Sequence, residues 1–431
     1  MAHTRRSVED PGASLNRPRP SGIQTFSSLA SKDFRLLWTG GIFSQMAFWL
    51  QILSLGWLVW ELTKDPDTGQ GSALLSGTVS GLRALPTLVL SPWAGVLLDR
   101  VDRRKSVIVV QFILGILAVL FAYLVASGSV EVWHAFVYSA VTGVCYALAM
   151  PALQTLIVNT VPPHNLGNAF ALNAMTVNIM RITGALLGGL LITTVGIKWN
   201  FFVESGAYIG LALLLIPLKT PYQEQSTARS YSVLTNMKDG ISYLWRENRI
   251  IFHLLVLNLI LNLVFIPIPN LLPAYTGEVL GSEADVGGYL MAAQGVAGLT
   301  ATIFIASLGF TFKKGKVGLI ALATGCAAIL GLAQSHWLFL SLAMMALMGV
   351  SQTNFIVSNQ TLVQGMIPDT LRGRITSIYT LMMGVSPIGI SLISLFIEMY
   401  TASGALTIVS SVGLALSLCF LVSFRQVRQL E

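Results

Sequence analysis

Three charged side chains, Arg83, Arg181 and Glu204, stand inside long apolar runs of this 431-residue chain, and two further titratable groups, Glu61 and His253, stand near the ends of such runs. Charge in hydrocarbon is costly, so ionisable residues there face a cavity or pair with other groups, and they mark ion, proton or substrate pathways. Arg83 and Arg181 are therefore expected to line a cavity or to pair within it. Glu204, near one end of its run, fits both an interfacial carboxylate reaching water and a functional group. A coupling proton needs a carboxylate or histidine whose proton affinity the site can adjust, which leaves Glu61, Glu204 and His253 as candidates. Glu61 also fits a helix-end charge, and His253 an interfacial residue. Asn178, Asn258, Asn262, Gln294 and Asn354, with Asn173, Asn359, Gln360, Gln45 and Gln51, add neutral hydrogen-bonding groups that suit a polar-lined cavity as well as bonds between helices.

Other chemistry finds no residues to carry it. Cys145, Cys326 and Cys419 each lie in an apolar segment without metal-ligand spacing. No phosphate-binding loop, metal-binding helix or nucleophile with a base is present, so no cofactor, metal, catalysis or nucleotide-driven pumping is expected. With 54% hydrophobic and 10% charged residues and a mean hydropathy of +0.71, the chain departs from the roughly one-quarter charged content of soluble domains. It reads as an integral membrane protein. The net charge of +7 lies between apolar runs rather than along one face, which argues against nucleic acid as a partner.

At about 20 apolar residues per crossing, spans are predicted near 34–62, 72–98, 106–127, 132–161, 168–196, 199–218, 250–275, 285–311, 316–334, 337–366, 371–397 and 402–424. They form two six-helix halves, 32–218 and 250–425. In the linker between them, 219–249, Val233, Met237, Ile241, Leu244 and Trp245 recur at helical spacing, as in an amphipathic helix lying on the cytoplasmic face. Residues 1–31, polar and with several prolines and arginines, read as a disordered cytoplasmic tail without a signal peptide, and 426–431 as a second tail. With both termini cytoplasmic, the 26 Lys and Arg fall on the cytoplasmic side apart from Lys64, Lys198, Arg83 and Arg181, as the positive-inside rule requires. Glu278, Glu283 and Asp285 gather in an outer loop.

Gln154, Thr155, Leu156, Pro162 and Gly167 recur as Gln360, Thr361, Leu362, Pro368 and Gly373 at one constant offset. Such a repeat suggests two related halves about an axis normal to the membrane, with a site between them near the midplane. The stretch Gly95 to Lys105 ends an apolar run at Asp99, followed by Arg100, Arg103, Arg104 and Lys105. At about 1.5 Å per residue, Arg83 lies roughly 24 Å from that helix end, in the outer half of its span.

This stretch resembles the signature loop of the major facilitator superfamily, Gly-x-Leu-x-Asp-Arg-x-Gly-Arg-Arg between the second and third helices. Gly95, Leu97, Asp99, Arg100, Arg103 and Arg104 match, while Asp102 stands where the pattern has glycine. With "FRLLWTGG" at Phe34, "WLVWELT" at Trp57 and "PDTLRGR" at Pro368, nearly all of the chain resembles the drug and siderophore exporter branch, of the macrolide and enterobactin efflux type. The resemblance implies an all-α polytopic membrane protein of twelve transmembrane helices in two pseudo-symmetric six-helix halves. It further implies a monomer in the plasma (inner) membrane that exports a small molecule by alternating access and proton antiport, with lipid around it.

By the same resemblance, Asp99 with Gly95, Arg100, Arg103 and Arg104 latches the halves together on the cytoplasmic side, against the start of the eleventh helix after Pro368. Backbone amides and the helix dipole favour a carboxylate there, and Arg372 and Arg374 stand near as salt-bridge partners. Gly184, Ala185, Gly188 and Gly189 resemble an antiporter signature with Ala185 in place of its proline, although glycines four apart also let helices approach closely. Trp57, Trp60, Phe201, Phe202, Met344, Met345, Met382 and Met383 suit an amphipathic substrate and core packing alike. Two other readings share these residues: an uptake or lysophospholipid carrier on the same fold, and a transport-dead receptor or scaffold.

Overall fold

Apolar runs of this length become helices because, in hydrocarbon, every backbone N–H and C=O must be bonded within its own segment. A computed structural model describes residues 26–98, 101–162, 165–220, 244, 248–308, 313–367, 378–379, 381–382 and 384–430, with side chains described outside 91–98 and 306–308. The helices are α1 (Lys32–Leu62), α2 (Ala73–Leu98), α3 (Arg103–Ala126), α4 (Val132–Thr160), α5 (Leu166–Thr194), α6 (Lys198–Leu215), α7 (Arg249–Val264), α8 (Ile268–Glu278), α9 (Ala284–Leu308), α10 (Lys314–Ala333), α11 (Leu338–Met366), α12 (Ser386–Met399), α13 (Ala402–Ser423) and the single turn α14 (Arg425–Arg428).

Among the described residues, 10 stretches are long and apolar enough to cross a membrane, α7 and α8 counting as one. The 18-residue α6 is diluted by Lys198, Asn200 and Glu204, and α12 is a shorter apolar helix of 14 residues. With these two, the described helices account for each of the expected crossings. Residues 371–377, 380 and 383 of the expected eleventh span, and most of the amphipathic linker helix and of the tail, fall outside the described residues.

Two expectations are corrected in detail. The seventh crossing is not one helix over 250–275: it stops at Val264 and restarts at Ile268. Pro267 and Pro269 cause the break, because proline offers no N–H to the helix ladder and its ring clashes with the preceding turn. The end of the expected tail is also ordered. Ser27–Ala30 form a 3-10 turn docked on the start of α5, where the Ser28 backbone N–H donates to Asn168 Oδ1 (3.0 Å) and Ser28 Oγ to the Asn165 carbonyl (3.0 Å).

Packing repeats between the halves. In the first, α2 lies on α4, α3 on α6 and on α4; in the second, α9 lies on α11, α10 on α13 and on α11. The repeat seen in the sequence thus has a counterpart in which helix touches which. The halves meet where α5 packs on α9, α2 on α12, and α8 on α1 and α2. One face of the bundle carries both termini. There Lys219 N donates to Asp33 Oδ1 (2.7 Å), Arg104 Nε donates to the Leu215 carbonyl (2.9 Å) and Gly315 N donates to the Leu430 carbonyl (3.1 Å). At the opposite, distal face, Trp133, Trp199 and Trp337 stand exposed at the starts of α4, α6 and α11, as an interfacial aromatic belt does. Exposed Val109, Ile113, Ile116 and Leu120 form one helical stripe along α3 that suits lipid.

Within and between the halves, glycines set the approach. A β-carbon on Gly349 of α11 would run into the Gln294 carbonyl of α9, and one on Gly189 of α5 would lie 2.8 Å from the Ala284 carbonyl of α9. Without a hydrophobic force between helices in lipid, such close van der Waals contact is what holds them. Gly349→Ala should therefore cost about 1–3 kcal/mol by overpacking. Thermal unfolding of the detergent-purified protein checks this against Gly41→Ala, where a β-carbon meets nothing within 4 Å and no loss is expected.

Candidate functional site

The described charged side chains deep inside the bundle, Arg83, Glu204 and Arg181, fall into two places. In the first half, α2 carries Arg83 into the core, 9% exposed, facing α1 and α4. Its Nη1 donates to Gln51 Oε1 (3.2 Å), and its guanidinium lies over the Phe48 ring at 4.5 Å and the Tyr146 ring at 5.9 Å. Aromatic faces attract a cation through their quadrupole, so these rings replace part of its lost hydration. Gly143 of α4 lets that helix close on the Arg83 carbonyl, and Ser139 Oγ donates to the Val79 carbonyl one turn away.

Beside Arg83, Glu204 of α6 is fully buried, which removes the interfacial reading of this carboxylate. Tyr138 Oη of α4 donates to Glu204 Oε1 at 2.7 Å, while Glu204 Oε2 has no hydrogen-bond partner. One turn along α6, the Tyr208 and Tyr146 hydroxyls bond to each other at 2.7 Å. Arg83 and Glu204 lie close enough for their charges to interact. Phe121 stacks on Tyr138 (4.3 Å) and meets Phe201 edge-on (4.8 Å), walling the cluster in. The carboxyl group can take or release a proton at Oε2 while keeping the Tyr138 bond at Oε1. That is the minimum equipment of a proton carrier in a dry interior.

The second place is the boundary between the halves. Arg181, midway along α5, extends Nη2 to Asn178 Oδ1 (3.2 Å), with its guanidinium 5.9 Å from the Trp49 ring of α1. It faces Gly298 of α9 and Thr353 of α11: a β-carbon on Gly298 would stand 3.0 Å from both Arg181 Nη2 and Thr353 Oγ1.

The remaining expected residues divide by what they touch. Gln294 Nε2 donates to Gln352 Oε1 (3.0 Å), tying α9 to α11, and Asn359 Nδ2 donates to the Leu254 carbonyl (2.9 Å), tying α11 to α7. Asn262 bonds the Asn258 carbonyl (2.8 Å) and Asn354 the Val350 carbonyl (2.9 Å), each one turn back on its own helix. His253 lies tilted against the Phe424 ring at 4.4 Å near the terminal face, and Glu61 pairs with Lys64 at 2.6 Å on the distal face. Neither joins the Arg83 cluster. In the signature loop, Gly95 falls in the last turns of α2, and Asp99 and Arg100 lie outside the described residues. Arg104 donates to the Leu215 and Ile216 carbonyls, capping α6. Asp102 is the N-cap of α3, accepting from Lys105 N (3.1 Å), which gives the residue in the glycine position a structural role. In the partial antiporter motif, Gly184 and Gly188 face Trp49 and Leu50 of α1, so close helix approach explains them.

The tyrosines 138, 146 and 208 are the site residues that sequence reasoning passed over. Their signal was present as spacing: Glu204 and Tyr208 are one turn apart on α6, Tyr138 and Tyr146 two turns apart on α4.

A family model described as transmembrane secretion effector matches residues 23–431. The chain belongs to that family. It is a major facilitator superfamily transporter, not an enzyme. Among curated relatives of this transporter, the Staphyloferrin A transporter of Staphylococcus aureus (strain NCTC 8325 / PS 47) is 21% identical over 82% of this chain and 86% of that protein. Macrolide efflux protein A of Streptococcus pyogenes is 24% identical over 76% and 82%, and multidrug resistance protein MdtG of Salmonella typhi 24% over 80% and 83%. Of solved structures, the nucleoside transporter NupG superposes with a TM-score of 0.70 at 14% identity, covering 91% of this transporter and 99% of that chain, and a likeness at that identity carries the fold alone.

The Tyr138 hydroxyl bonds Glu204 Oε1 at 2.7 Å, with the Tyr208 hydroxyl also in reach of the carboxyl, so Tyr138→Phe should destabilise the transporter by about 1–3 kcal/mol, the cost of weakening the hold on a buried polar group. Thermal unfolding in detergent measures it. Tyr123→Phe, at a site 66% exposed, should leave the midpoint unchanged.

Proposed function

We propose that this transporter exports an amphipathic small molecule, of the drug or siderophore kind, across the plasma (inner) membrane by alternating access, in exchange for protons carried by Glu204. The observation that carries the reading is the buried Glu204 itself, held by Tyr138 at one oxygen, free at the other, and within electrostatic reach of Arg83. An ion pair alone would need no free oxygen and no tyrosine pair beside it. Export as the direction draws on the efflux and multidrug resistance relatives. The distribution of Lys and Arg supports cytoplasmic termini.

With the termini cytoplasmic, the distal face is the outer one, and there the halves are joined. Glu398 at the end of α12 accepts from Ser72 Oγ (3.3 Å) and from the Leu74 backbone N–H (3.2 Å) at the start of α2. Nearby, Gly77 of α2 abuts Ser394 of α12. This arrangement is an outward-closed state. In the opposite state the cytoplasmic ends close, and Asp99, with Gly95, Arg100, Arg103 and Arg104, supplies the latch. Each latch then places a carboxylate from the C-terminal end of one helix on the N-terminal amides of its antiparallel partner.

In inverted membrane vesicles, Glu204→Gln should reduce pH-gradient-driven accumulation of macrolides or siderophores to the level of empty vesicles, while exchange of substrate for substrate continues. Gradient-driven accumulation that survives in Glu204→Gln would remove Glu204 from coupling, and accumulation in right-side-out vesicles only would reverse the direction. Asp99→Asn should leave membrane insertion intact and slow transport; transport at the unmodified rate would sink the latch.

A further inference from the structure

Two cations inside the bundle, the buried Arg83 and the partly buried Arg181, are provided for in different ways. Arg83 has a side-chain acceptor in Gln51, two aromatic rings and a carboxylate within electrostatic reach. Arg181 has far less. Of its N–H groups, the described residues give an acceptor only to Nη2, through Asn178 Oδ1, and the Nε–H is buried with no partner. The indole it lies against is in the same condition: Trp49 Nε1 is buried and makes no hydrogen bond. Two stranded donors therefore share one guanidinium–indole contact. Leaving buried donors unpaired is costly, and their neighbourhood is where a missing acceptor belongs.

Position says which acceptor. Arg181 lies mid-way along α5, facing mid-helix Gly298 of α9 and Thr353 of α11, so it stands between the halves at the depth where transporters of this plan hold substrate. Gly298 leaves the guanidinium the room a side chain would take. Among the described residues no carboxylate pairs with it or neutralises its charge. A planar guanidinium with free parallel N–H groups matches a carboxylate two bonds at a time, and the ring of Trp49 supplies an apolar wall beside it.

Building on the export reading above, we infer that Arg181 and Trp49 Nε1 form an anion subsite between the halves, and that the substrates are amphipathic carboxylates. The acid group takes the Arg181 Nε and Nη donors, with Trp49 Nε1 as an additional donor, and the apolar part lies along the indole and neighbouring aromatic surface. Loss of a charge-assisted pair of this kind weakens binding by about tenfold to hundredfold.

The test uses the full-length transporter in nanodiscs, with dansylglycine as an amphipathic carboxylate and dansylglycinamide as its neutral twin, each corrected for empty nanodiscs. The unmodified transporter should bind the acid at least about tenfold tighter than the amide. Arg181→Gln should weaken the acid by that factor, leave the amide unchanged and so erase the preference, whereas Arg181→Lys should keep part of it. Trp49→Phe retains the ring and removes the N–H; it should lower acid binding alone, by a smaller factor, and it keeps the proposal testable should Arg181→Gln fail to assemble. Equal binding of acid and amide, a preference that survives Arg181→Gln, or no binding of either probe above empty nanodiscs overturns the inference. Flux separates it from the reading on which it rests: pH-driven movement of both probes without acid preference sinks the anion subsite alone. An acid preference without pH-driven movement leaves the subsite and sinks the coupling.

Discussion

A guanidinium in the hydrocarbon layer has to be solvated by the protein around it, and the way each arginine in this bundle is solvated organises the rest of the structure. Arg83 takes Gln51, Phe48 and Tyr146 from two helices. To bring those groups within range, α4 closes on α2 at Gly143, where a side chain would meet the Arg83 carbonyl. The same closure aligns Tyr138 with Glu204 and Tyr146 with Tyr208 across to α6. Cation, tyrosines and carboxyl are thus one assembly inside a single half, and in the proposed alternating-access cycle it would move with that half. A proton held there would travel with the half and meet water on whichever side the half opens.

The boundary between the halves is built on different terms. Its described contacts include apolar packing of Ile52, Leu53 and Trp60 against the second half, glycine-permitted approaches such as Gly189 against Ala284 and Gly288 against the Ala185 carbonyl, and hydrogen bonds to one exposed carboxylate, Glu398. Close van der Waals contact is lost once helices separate, and an exposed carboxylate returns to water at little cost. Such an interface can open. A boundary sealed by buried ion pairs would cost several kcal/mol to break one partner at a time. Buried polar bonds lie instead within the halves: Asn200 to Ser54 and Tyr138 to Glu204 in the first, Gln294 to Gln352 and Asn359 to the Leu254 carbonyl in the second.

The sequence made the crossings and the repeat legible because both are written in hydropathy and position, which need no neighbour to be read. Phe265 to Pro267 escaped because a hydropathy window does not register that two prolines remove the ladder bonds of an otherwise apolar run. Glu204 was visible as a charge near a span end and was compatible with the interface; only the placement of α4 on its buried side makes it an interior acid. Asn258, Asn262, Gln294 and Asn354 were visible as polar residues in spans, but composition does not say which face a helix turns inward. Gln294 bonds a neighbouring helix, while Asn262 and Asn354 bond carbonyls one turn back on their own helices.

Asp102 shows how a departure from a family pattern can be local chemistry. Where the signature loop has glycine, this aspartate caps α3 by accepting from Lys105 N, and α3 starts one residue later. Arg104, in the first turn of that helix, binds the last carbonyls of α6. The loop after α2 is thereby fastened to two other helices of the same half. Force applied at the proposed Asp99 latch would reach α3 and α6 through these bonds, and so would act on the half that carries Glu204 rather than on one helix end. The loop gains this rigidity from the aspartate at a position where glycine would leave the turn free.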